Sequence, residues 1–279
     1  MATKTWIGTD GSWSTAGNWS PSGVPADADT VFITSGSDDI DGDNQSAIEL
    51  ARLVVGPKFT GKIGTSGTKM QIDADVLDFS GAGDTYLDGF YTTTTVQDTG
   101  TSATALNLSG ATIATLRIVG GKGNVNIAST ITLSTTIEMI GANGVTLNIA
   151  DSTTIGGSAT LTMDDGKVEL GQAVPTITIY GGELEATLDT GTVTELTSYG
   201  GRVRWKPTLD CTITTLTLYG GTFDSRDATT ATYTITNCTI HEGATLDERS
   251  GTRAAVYSNA ISMQGGEVRL DAGRGLALS

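Results

Sequence analysis

The chain has 2 Cys, 5 Pro and a single His among 279 residues, and no run of basic residues anywhere. Two cysteines are too few to staple a fold, so free thiols in a reducing compartment are expected. His241, the only histidine, reads as an outward surface residue rather than a base or ligand. Lys and Arg number 16 against 31 Asp and Glu, a net charge of −15. A phosphate backbone demands clustered positive charge, which argues against nucleic acid as a partner. No window approaches eighteen consecutive apolar residues, and the opening Met1–Trp6 has no apolar core of a secretion signal. The expectation is a start in the cytoplasm with no membrane partner. Helical periodicity is also missing. Ser46–Ala51 comes nearest and is too short to nucleate.

What the chain does have is a repeat. Tyr180-Gly181-Gly182, Tyr199-Gly200-Gly201 and Tyr219-Gly220-Gly221 are spaced 19 and 20 residues apart. Aligned on them, Ile177, Leu196, Leu216, Cys238 and Ile261 form one apolar column, and Ile179, Ser198, Leu218, Ile240 and Met263 a second. Thr178, Thr197, Thr217, Thr239 and Ser262 lie between. This is period-two alternation, apolar inward and hydroxyl outward. After each Gly a further column begins with Leu184, Val203 and Phe223. Weaker versions occur at Leu77–Gly81, Leu116–Gly121 and Thr162–Gly166. About fifty Thr and 37 Gly suit wet strand faces and tight corners.

A period near twenty is one coil of a solenoid, not a domain. The fold expected is an all-β, right-handed parallel β-helix (a β-solenoid of the pectate-lyase type). The hand follows from the right-handed return path that strand twist favours. From residue 100 onward there is room for roughly nine coils, about 40 Å of rod at ~4.8 Å per coil.

The first residues differ in kind. Trp6, Trp13 and Trp19, three of the four tryptophans, fall within fourteen positions. A solenoid exposes core at its first coil, so residues 1–30 are read as a cap or attachment segment and 31–279 as the β-helix body. An aromatic sugar platform is the functional alternative. The pattern Trp6-x-Gly-x-x-Gly-x-Trp13 continues to Asn18-Trp19, Val24-Pro25, Asp29 and Val31-Phe32-Ile33. It resembles the openings of phage structural proteins and of repetitive bacterial surface proteins. Asn44–Val55 and Phe59–Gly64 resemble the continuation found in the phage-borne members. The resemblance covers about the first 65 residues. It implies a β-helical virion protein, often a homotrimer, with no catalytic residue and no cofactor to carry over.

Three sets of residues invite chemistry. Asp39, Asp41 and Asp43 have the alternation of a calcium loop, but Leu50 stands where a bidentate Glu is required, which excludes an EF-hand. Asp224, Arg226, Asp227, Asp247, Glu248, Arg249 and Arg253 gather at adjacent corners. An acid pair for glycoside cleavage competes there with ion pairing, and ion pairing is the simpler account. Tyr180, Tyr199 and Tyr219 should form an outward strip, continued by His241 and Gln264, suited to contact with a neighbouring subunit. The expected function is a non-enzymatic capsid decoration protein on a phage head. Its partners would be its own copies and the major capsid protein or another virion protein. It would be located in a virion assembled in the host cytoplasm. The alternatives are a tail spike or fibre that binds, and cleaves or only holds, host polysaccharide, and a bacterial adhesin.

Overall fold

A computed structural model describes residues 1–97, 105–110, 112–188, 190–228, 232–249 and 255–270. The chain forms a parallel β-solenoid of about 10 turns, each of about 22 residues. The coils are slightly longer than the Tyr-Gly-Gly spacing suggests, because those triplets sit in the tightest part of the rod. A 3-10 turn at Ala16–Asn18 is the one helical element among the described residues. None of them forms a helix long and apolar enough to cross a membrane.

Two ladders run the length of the rod. The first stacks the longer strands, among them Thr30–Gly36, Asn44–Phe59, Met70–Phe79, Thr112–Val119, Thr132–Ile140, Gly191–Ser198, Cys211–Leu218 and Tyr233–His241. The second stacks shorter strands, and from Ala105–Ser109 to Glu267–Arg269 it contains nine, the number of coils expected downstream of residue 100. Ser46–Ala51 is strand, as its lack of helical length requires.

The bend within each long strand is written locally. In Cys211-Thr-Ile-Thr-Thr-Leu-Thr-Leu, Ile213 and Leu216 are both buried, with Thr214 and Thr215 consecutive between them. Two outward residues in a row break strict alternation, so the chain turns while both flanks still point inward. The same step occurs at Val193/Leu196 and Ile235/Cys238, in register with Ile213/Leu216.

The core is built from the inward columns. Leu116, Ile137, Leu161, Ile177, Leu196, Leu216 and Cys238 follow one another rung by rung. All are buried, and each aliphatic member contributes about 1.5–3 kcal/mol through loss of exposed apolar surface. Cys238 packs in this column as expected. Cys211, read from sequence as a coil edge without a ladder neighbour, is in fact paired in register with Gly191 and Tyr233 and buried. Both thiols are free, and burial pushes them up, to about 11 for Cys211 and about 12 for Cys238.

The glycine pairs close the corners for two separate reasons. Gly201 has φ +71°, which L side chains avoid. Gly200 has no such angle, but a Cβ there would meet the Tyr180 carbonyl oxygen at 2.5 Å. One glycine supplies the turn and the other the close approach of successive coils.

At the amino-terminal end, Thr3–Trp6 adds to the first ladder ahead of the strand expected to come first, pairing parallel with Thr30–Phe32 and antiparallel with Trp19–Ser20. Trp6, Trp13 and Trp19 are all buried. Trp19 packs edge-on against Trp6 at 5.0 Å and Trp13 at 4.6 Å, and its Nε1 donates to the Trp13 carbonyl at 2.8 Å. Rings so enclosed offer no free face to a sugar. Asp29 ties the same segment down. Burial opposes its ionisation, yet the backbone N–H groups of Ala2 and Ala26 donate to it and hold its carboxyl below the usual range.

Candidate functional site

The tyrosine strip forms as the register predicts. Tyr180 and Tyr199 stack at 5.0 Å with 8° between planes, Tyr199 and Tyr219 at 4.9 Å and 6°, and Tyr219 and His241 at 4.3 Å and 21°. Gln264 follows His241 on the next rung. The sequence reading stopped at Tyr180, but the column runs further toward the amino terminus. Gln97, Val119 and Ile140 occupy the same position on earlier rungs, with Asp164 between Ile140 and Tyr180. Val119 is 37% exposed, Ile140 40%, and the three tyrosines 44–55%. Of the nine large apolar side chains exposed among the described residues, five share this one column.

The ring geometry restricts what the strip can hold. Tyr199 has a neighbouring ring over each face. Stacking of a sugar on an aromatic requires a free face, so the middle of the strip presents edges only. Ring edges and aliphatic side chains suit packing against another protein surface.

The charged corner is a set of locked ion pairs. Asp224 accepts from Arg226 and Arg202, and Asp247 from Arg249. These two carboxylates are almost fully buried, which surface ion pairing from sequence did not foresee. The Arg226 guanidinium, with Arg202 assisting and burial opposing, holds the Asp224 carboxyl far below the usual range. Arg249 does the same for Asp247. A general acid must keep a proton near neutral pH, and these groups are held ionised. Glu248 is not part of the corner. It is turned inward, where it accepts from the hydroxyls of Tyr233, at 3.1 Å, and Tyr257. Arg253 lies outside the described residues.

The acidic loop has local duties. Asp43 accepts from Ser14 Oγ at 2.6 Å and from Gln45, while Asp39 accepts the Lys62 backbone N–H at 2.8 Å. These bonds fasten the capping segment and the next coil to the loop.

One feature escaped sequence reasoning. Leu106-Asn107-Leu108-Ser109, Val125-Asn126-Ile127-Ala128 and Leu147-Asn148-Ile149-Ala150 are a repeat in their own right, and the three asparagines stack in the second ladder. Asn148 Nδ2 donates to Asn126 Oδ1 at 2.7 Å, and Asn126 Nδ2 to Asn107 Oδ1 at 2.8 Å. They line a groove of about 530 Å³. The recurring apolar-Asn-apolar-small pattern was the available signal. It was masked by the more regular Tyr-Gly-Gly triplets.

No protein-family model, curated protein or solved structure matches this chain. Its chemistry is therefore read from its own geometry.

Proposed function

We propose that the chain is a non-enzymatic structural component of a phage particle, a short rod that decorates the head and docks through its exposed column. The observation that carries this reading is the concentration of Val119, Ile140, Tyr180, Tyr199 and Tyr219 on one line of an otherwise Thr-rich, acidic surface. A contiguous apolar strip on a soluble rod marks a protein contact. Three rods side by side would bury three such strips along a shared axis, which is the closed symmetry a homotrimer requires. The resemblance of the opening residues to phage structural proteins supplies the particle. The ionised state of Asp224 and Asp247 favours a scaffold over a depolymerising spike.

Light scattering on the purified protein tests the contact. The wild type is expected at three times the chain mass and Tyr199→Glu at the chain mass. A variant of unchanged mass removes the strip as the contact. Antibody labelling of particles tests the location. Label on the head supports decoration, and label at the tail tip replaces it with the spike.

A further inference from the structure

The asparagine groove is separate from the docking strip. The tyrosines precede each second-ladder strand, whereas the asparagines lie within those strands and the groove continues past their ends at Ala128, Ala150 and Asp151. We propose that this groove binds a neutral oligosaccharide lying along the rod axis. The proposal goes beyond the docking role and does not rest on it.

The amide chain is the first argument. Asn107 Nδ2 donates to the Thr85 carbonyl at 3.2 Å, Asn126 donates to Asn107, and Asn148 to Asn126. All three amides therefore point the same way, and their dipoles add. The chain ends on Asn148 Oδ1, a buried acceptor with no hydrogen-bond partner among the described residues. A buried oxygen at the negative end of an aligned chain calls for an incoming donor. Each Nδ2 carries two hydrogens, and the chain uses one of them on its neighbour. The floor of the groove thus offers both donors and an acceptor, the mixture a sugar hydroxyl can satisfy from either side.

Spacing and charge narrow the class. Neighbouring rungs are about 4.8 Å apart, close to the length that one pyranose adds to an extended chain. One sugar per rung could then present a hydroxyl to each asparagine. Tyr86 stands one rung before Asn107 and also lines the groove. Lys69 and Asp151 line it too, so one cation is matched by one carboxylate near the amides. Glu169, on the rung after Asn148, is neutralised by Lys167 at 2.5 Å. A phosphate or a simple cation would meet an opposing charge. A neutral ligand would meet none. The volume lies within the range of small-ligand sites.

The test is an NMR titration of ¹⁵N-labelled full-length protein, following the side-chain amides of Asn107, Asn126 and Asn148. The probes are neutral hexasaccharides of α- and β-linked glucose, mannose and galactose, with calcium chloride and inorganic phosphate as separate arms. At least one hexasaccharide is expected to shift all three amides saturably. Asn148→Ala should weaken that binding about tenfold, the loss of one hydrogen bond, and Asn126→Leu should weaken it likewise. Tyr199→Glu should bind as the wild type does, which separates this site from the docking strip. Amides unmoved by every sugar, or moved by calcium or phosphate alone, overturn the proposal. So does undiminished binding by Asn148→Ala. The wild-type titration decides the matter even where a variant does not fold.

Discussion

Three single substitutions can separate backbone strain from inter-coil crowding at the corners. Gly243 has φ +83°, yet a Cβ there meets nothing within 4 Å. Gly200 has an ordinary backbone angle, but its Cβ would meet the Tyr180 carbonyl at 2.5 Å. Gly201 has both problems, with φ +71° and the Gly182 carbonyl at 2.6 Å. The difference at Gly243 has a cause in the chain. Tyr219 and Gly221 are two residues apart, while their rung partners His241 and Ala244 are three apart. The added residue widens that corner. Gly243→Ala therefore incurs only left-handed strain, about 1–2 kcal/mol, offset in part by a less flexible unfolded chain. Gly200→Ala incurs crowding, about 1–3 kcal/mol. Gly201→Ala combines them at about 2–5 kcal/mol, and the Arg202 N–H to Gly182 carbonyl bond of 2.9 Å stands next to the clash. Urea unfolding followed by far-UV circular dichroism measures all three. The predicted order of loss is Gly201→Ala first and Gly243→Ala last. If Gly201→Ala costs no more than Gly243→Ala, coil contact at the corner is not what selects the glycine pair.

Two further outcomes are expected. Asp43, Glu185, Asp224 and Asp247 all have carboxyls lowered on folding. A lowered folded pKa gives stability that is present above the unfolded value and lost as pH falls through the folded one. Urea midpoints should therefore hold steady from neutrality to about pH 5 and drop below about pH 4. A decline starting near pH 6–7 would instead implicate His241. Trp19→Ala removes two edge-on ring contacts and the bond to the Trp13 carbonyl, and should cost about 3–5 kcal/mol at the amino-terminal end. Hydrogen exchange should then rise first in Thr30–Gly36, and a uniform rise along the rod would contradict the capping role.

The sequence by itself determined the solenoid, the inward columns and the tyrosine strip. Each depends on alternation within a strand and on the coil period, and both are one-dimensional properties of the chain. The paired polar residues that bend Cys211–Leu218 are legible for the same reason. Tertiary structure decided what depends on which rungs meet. Coil length varies, with 24 residues from Ile137 to Leu161 but 16 from Leu161 to Ile177, so register cannot be carried forward by counting. That variation is why the Asn107–Asn126–Asn148 chain and its unpaired oxygen appear only once the coils are stacked. The inward turn of Glu248 and the locking of Asp224 by two arginines from different coils have the same origin. Alternation fixes which way a residue faces. Only stacking fixes what it faces.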